Sequence, residues 1–242
     1  MKTMSAFDLQ GKKGLVLGLA NEHSIAWGCA RQAQAMGAEV VASCLNDKAR
    51  AFVEPLTQPI GMDLQTCNIE TPEDLEKLVA YAAAKLGRLD FVIHSIAWAP
   101  LADLHGRVID SSSVGFARAM EVSCHSFATL AKLCAPHMSL GGSMVTMSYL
   151  GADEAVPHYG LMGPVKAALE SLVRYMAVEL GPQGVRVYAV SPGPILTRAA
   201  SGIEAFDALM QNNIAKAPLG RLVTLEEIAN LSTFLCTDAA SG

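Results

Sequence analysis

Charge is scarce in this chain, and the little there is does not favour one basic face. Charged residues make up 17% of the 242 residues, and the formal net charge is −5. A nucleic-acid partner needs a cluster of lysine and arginine, so this class is excluded. No apolar run approaches the ~20 residues of a membrane span. The first residues, MKTMSAFDLQGKK, lack the apolar core of a signal peptide. The six cysteines, Cys29, Cys44, Cys67, Cys124, Cys134 and Cys236, include no C-x-x-C pair and no metal-ligand spacing with histidine. Buried free thiols in a reducing cytoplasm are therefore expected, with no metal site. Linkers, repeats and low-complexity tracts are also missing. What remains is 51% apolar residues, ample for a large core. At this length the chain fits one α/β domain.

Short apolar runs alternate with helical patterns. Strands are expected at 14–18, 38–45, 62–67, 89–95, 143–148 and 185–191. Helices are expected at 25–36, 47–56, 71–86, 113–138, 159–180, 203–215 and 225–235. Ser24 suits a helix N-cap, Thr71-Pro72 a helix start, and Gly141-Gly142 a helix stop. Alternation of this kind predicts βαβ units and a Rossmann-like, doubly wound parallel sheet with helices on both faces. The continuous apolar strands fit burial on both sides. Ligands of such sheets sit beyond the carboxyl ends of the strands.

Two groups of residues fall at those ends. Gly18, Ser24 and Gly28 separate the first strand from the first helix. A glycine there lets the backbone approach a pyrophosphate, and the helix amides can bind it. An ordinary capped helix explains the same residues. The second strand ends Cys44-Leu45-Asn46-Asp47-Lys48, with neither acid nor arginine at its tip. Asn46 and Asp47 just beyond it favour NAD, with NADPH possible. Asn68-Ile69 and Ser95-Ile96-Ala97 end the third and fourth strands and would flank adenine and ribose, or simply terminate the strands.

Tyr159 and Lys166 form the second group. Seven residues are nearly two helical turns, so a helix running from His158 would put both on one face. An ammonium beside a phenol lowers its pKa and makes it a better proton donor. Tyr149 and Ser148 lie upstream, Ser148 in the style of a catalytic serine. His94 is expected in the sheet as a satisfied polar residue. Arg118 is expected on a solvated or subunit-facing surface.

Taken together, GLANEHSIAWG (18–28), HSIAWAP (94–100), SYLGADEAVPHYGLMGPVKA (148–167), VRYMAVELGPQGVRV (173–187) and SPGPILTRAASGI (191–203) resemble the short-chain dehydrogenase/reductase superfamily over nearly the whole chain. Within it they resemble the bacterial enoyl-acyl-carrier-protein reductases. The Y-x6-K spacing of Tyr159 and Lys166 marks that branch, where ordinary members have Y-x3-K.

The resemblance implies an NADH-dependent enoyl reductase of type II fatty-acid synthesis. It would act in the cytoplasm as a homotetramer on acyl-carrier-protein-linked substrates. It also assigns roles. Tyr159 bonds the thioester oxygen, Lys166 the nicotinamide ribose, and Tyr149 sits beside the substrate. Gly18, Ser24 and Ile25 contact the pyrophosphate, while Leu45, Asn68, Ile69 and Ile96 contact the adenosine end. Ile195 and Thr197 close over the nicotinamide, and Ala99 touches the acyl chain. A substrate lid is expected near 195–215, within a single reductase domain spanning 1–242. Leu45, Asn68, Ala97 and Pro192 depart from the family pattern, Leu45 standing where NADH-using relatives often carry a polar side chain. The family continues past the position of Ser241-Gly242 into a last strand rich in Val, Asp and Gly, and a parallel sheet without that strand would have an exposed edge. The alternatives are a reductase of ketones or 3-oxoacyl thioesters, and a nucleotide-binding protein without catalysis.

Overall fold

The computed structural model describes residues 5–195, 197 and 206–241. Six strands, β1 (Lys13–Leu19), β2 (Glu39–Cys44), β3 (Asp63–Thr66), β4 (Leu89–His94), β5 (Met138–Met147) and β6 (Arg186–Val190), form one parallel sheet in the order β3-β2-β1-β4-β5-β6. The order reverses between β1 and β4, which opens a ligand-binding crevice at their carboxyl ends.

Successive residues of each strand point to opposite faces. Leu15 and Leu17 of β1 join one core cluster, and Val16 and Leu19 the other. The first core is closed by α3 (Pro72–Leu86), α5 (Ser113–Met120), α6 (Ser126–Cys134) and α7 (Met162–Leu180). The second is closed by α1 (Ile25–Ala35), α2 (Asp47–Thr57) and α9 (Leu225–Phe234). The remaining helices are the short α4 (Leu101–Leu104) and α8 (Phe206–Lys216). Among the described residues no helix is long and apolar enough to cross a membrane, and no group of three His, Cys, Asp or Glu could hold a metal ion. All six cysteines are buried free thiols.

Several boundaries differ from the sequence reading. The long helix expected over 113–138 is broken by a π-helical turn at Glu121–His125. It ends at His137, before the glycine pair. Gly141 and Gly142 lie inside β5, where the pairing with β4 jumps from Leu89↔Met138 to Phe91↔Ser143. The inserted residues loop out through Gly141, whose φ of 82° suits glycine and whose amide reaches the Gly184 carbonyl. Ser24 is the N-cap residue of α1, but its hydroxyl serves the preceding loop: it donates to the Asn21 carbonyl and accepts from the Ala20 amide. Thr71 likewise makes no side-chain cap. Arg186 and Tyr188 donate hydrogen bonds to the carbonyls of Thr237 and Ala240.

Candidate active site

Helix α7 begins at Met162, three residues beyond Tyr159. The expected helix over Tyr159 is therefore absent. His158 has a φ of 63° and Gly160 one of 53°, so the chain turns through left-handed conformations on either side of the tyrosine. Tyr159 reaches the site from a turn, and only Lys166 from the helix. Helical periodicity is not what relates the two.

The fold still brings the main candidates together. Tyr149, Tyr159 and Ala99 belong to one buried cluster, with Ile69 and Ile96 packed against it. The two tyrosine rings lie 4.6 Å apart between centroids and are tilted by 54°, a favourable geometry for an aromatic pair. Gly151 makes room for Tyr159: a Cβ there would fall 2.3 Å from the ring. A cleft of about 330 Å³ borders Tyr159, with Gly151, Val156, Gly163 and Val108 among its walls.

Lys166 is 4% exposed and donates to the Met147 carbonyl at 2.6 Å. Burial pulls its pKa down from 10.5 to about 8, with Cys124 and Glu170 acting in the opposite direction. It is a cation at neutral pH. Tyr159 does not behave as expected. Burial raises its pKa, and Tyr149 adds to the rise. Both effects act in the same direction, so Tyr159 is a neutral hydroxyl donor. Burial also raises the Tyr149 pKa, with Asn213 of α8 acting in the opposite direction.

Behind the lysine runs a buried polar chain. Ser126 donates to the Val122 carbonyl at 2.7 Å. Its oxygen is then left to accept from His94 Nε2 at 2.9 Å, and His94 Nδ1 accepts from Thr146 Oγ1 at 3.1 Å. His94 is fully buried and neutral; burial and then Lys166 lower its pKa to about 3. The π-helical turn also fixes the loop after β4. The Ser123 hydroxyl accepts from the Trp98 amide and donates to the Trp98 carbonyl, both at 2.8 Å. Arg118 stacks 4.4 Å from the Trp98 ring centre and pairs with Glu70, while its side chain stays about half exposed, as expected of a surface position.

The nucleotide candidates surround the strand ends. Gly18 has a φ of 103°, and a Cβ there would strike the Ser95 carbonyl at 2.2 Å, so β1 and the β4 loop meet at the crevice. With Ser24 turned to its own loop, the first amides of α1 have no side-chain cap. They are free to meet an anion at the positive end of the helix. Gly28 has another reason. Its missing Cβ makes room for Leu225 of α9, not for a ligand. Ile25 packs on the second core. Leu45 is 53% exposed at the end of β2. Asn46 is occupied in capping α2, accepting from the Ala49 amide. Asn68 is held by Asp74 and itself accepts from the Glu70 amide. The Thr197 amide bonds the Ile195 carbonyl at 2.9 Å. Much of the expected lid, residues 196 and 198–205, lies outside the described residues.

Two neighbours of the tyrosines went unnoticed in the sequence. Glu170 lies four residues after Lys166 and accepts the Ser148 hydroxyl, so the i, i+4 spacing was a usable signal. Asn213 had no such signal.

Known proteins resemble the chain throughout. The family model described as enoyl-(acyl carrier protein) reductase matches residues 18–242. The enoyl-acyl-carrier-protein reductase (NADH) 1 of Rhizobium meliloti is 41% identical over 235 residues, 97% of this chain and 86% of that protein. The enoyl-acyl-carrier-protein reductase (NADH) FabI of Nostoc is 42% identical, covering 97% of this chain and 93% of its own. The crystal structure of the Aquifex aeolicus enzyme superposes with a TM-score of 0.93 at 39% identity, over 96% of this chain and 92% of the other. That of the Anaplasma phagocytophilum enzyme in complex with NAD gives 0.92 at 39% identity, over 100% and 92%. On this agreement of sequence, fold and site, the chain belongs to the enoyl-acyl-carrier-protein reductase family of the short-chain dehydrogenase/reductase superfamily.

Proposed function

We propose that this chain is an NADH-dependent enoyl-acyl-carrier-protein reductase. The observation that carries the reading is the buried Tyr149–Tyr159 pair, with the buried Lys166 bonded to the Met147 carbonyl at the carboxyl end of β5, in a chain of this family. The residues present fit a dinucleotide. Gly18 closes the β1 loop against Ser95 where a side chain would intrude, and the uncapped α1 amides suit a pyrophosphate. Gly18, Ser24 and Ile25 would hold that part, Leu45, Asn68, Ile69 and Ile96 the adenosine end, and Lys166, Ile195 and Thr197 the nicotinamide end. When bound, NADH supplies the hydride that reduces C3 of a trans-2-enoyl thioester.

The chain's own residues handle the charge. Reduction at C3 places negative charge on the thioester oxygen. A neutral Tyr159 hydroxyl donates to that oxygen, and a donor of this kind is often worth about 3 kcal/mol in the transition state. The buried Lys166 ammonium adds positive charge in a medium of low dielectric. Tyr149 and Ala99 shape the wall against which the acyl chain lies.

Steady-state reduction of crotonyl thioester with NADH and NADPH in parallel tests the reading. Tyr159→Phe should lower kcat about 100-fold or more while NADH still binds, as followed by fluorescence. Full activity in that variant would overturn the role of Tyr159. Turnover of acetoacetyl thioester alone would point to the carbonyl-reducing branch. Against that branch stands Ser148, whose hydroxyl is committed to Glu170. NADH binding without turnover of either thioester would leave a nucleotide-binding protein.

A single domain carrying both sites, a substrate lid near 195–215 and a homotetramer in the cytoplasm complete the proposal. The exposed Val114 of α5 and Tyr175 and Val178 of α7 supply apolar surface for such an assembly, which sedimentation would measure.

A further inference from the structure

Strand β5 ends at Met147, and the next two residues are Ser148 and Tyr149. The chain is tied to α7 at successive residues here. The Met147 carbonyl accepts from Lys166 Nζ at 2.6 Å, and the Ser148 hydroxyl donates to Glu170 Oε1. Lys166 and Glu170 are four apart and share a face of the helix. Ser148 is 5% exposed, and its amide is bonded to the Val190 carbonyl at 2.7 Å. Backbone and side chain are thus both fixed one residue before Tyr149.

We infer that Glu170 is a positioning residue of this site: it clamps Ser148 so that Tyr149 stays against Tyr159. The inference rests on the proposed role of Tyr159.

Substitution in the full chain tests the clamp. Ser148→Ala removes it. Glu170→Gln removes the charge, yet its amide oxygen can still accept from Ser148. Two quantities are measured: kcat for crotonyl thioester reduction, and NADH affinity by fluorescence. Ser148→Ala should lower kcat about 10-fold, as a displaced Tyr149 would, with NADH affinity unchanged. Glu170→Gln should retain the turnover that Ser148→Ala loses. A wild-type kcat in Ser148→Ala overturns the clamp, as does a Glu170→Gln enzyme as slow as Ser148→Ala. A wild-type chain that reduces no enoyl thioester refutes the proposed function, and the inference with it; an active wild-type chain with a wild-type kcat in Ser148→Ala refutes the clamp alone.

Discussion

Adding one methyl group at Gly151 should disable this site while leaving its cofactor surface intact. The Cβ of an alanine there would lie 2.3 Å from Tyr159 Cδ1 and 2.6 Å from Cε1. Carbon atoms rest about 3.5 Å or more apart, so the ring must retreat by about 1 Å. Tyr149 already stands 4.6 Å away between ring centres, and the surrounding cluster is buried, so there is little room to yield. A misplacement of about 1 Å can cost about 100-fold in rate, equivalent to about 2.7 kcal/mol of transition-state stabilisation. Overfilling of this kind also costs about 1–3 kcal/mol of stability. In steady-state assays with crotonyl thioester, Gly151→Ala should lose about 100-fold in kcat/KM. NADH affinity should hold, because Gly18 and Lys166 are untouched. Gly181→Ala is the control: nothing lies within 4 Å of its Cβ position, so turnover should be unchanged. A Gly151→Ala enzyme with wild-type kcat/KM would refute the argument that the glycine exists to seat Tyr159.

Two further outcomes concern stability. His94 is buried and neutral with a pKa near 3, against 6.5 when unfolded. Its lowered pKa contributes stability above pH 6.5 that is lost as pH falls toward 3, worth about 5 kcal/mol over that window. Denaturant unfolding at stepped pH should show the loss, and His94→Asn should flatten that limb; an unchanged slope would sink the assignment. Thr224 and Glu227 form a reciprocal cap at the start of α9, with bonds of 3.1 and 2.9 Å. Thr224→Ala should cost about 1 kcal/mol in thermal unfolding and leave turnover intact; an unshifted melting curve would contradict it.

The legible parts of the sequence were those governed by neighbours along the chain. Continuous apolar runs identified all six strands, and Leu15/Val16-type alternation then distributed them between two cores. Gly37 and Gly87 follow the ends of α1 and α3 at positive φ, which glycine tolerates. The same rule misled at Gly141, whose positive φ serves a bulge inside β5. Tyr159 shows the limit most clearly. Its offset from Lys166 suggested a shared helical face, but His158 and Gly160 turn the chain first, so α7 starts later. Its ionisation was misjudged for a related reason. Spacing suggests a nearby charge, whereas burial in a cluster drawn from many parts of the chain sets the direction of the shift.

By itself, then, the sequence determined the alternation of strands and helices, the doubly wound class and the family resemblance carried by Tyr159, Lys166 and the loop at Gly18, since each depends on residue type and local spacing. Only the tertiary structure decided what those residues face. It placed Gly151 under Tyr159, Leu225 against Gly28, and Glu170 on Ser148. It also decided which hydroxyls are neutral and that Lys166 remains a cation at neutral pH. The physical reason is that desolvation and close packing are set by segments far apart in the chain, which meet only when the sheet forms.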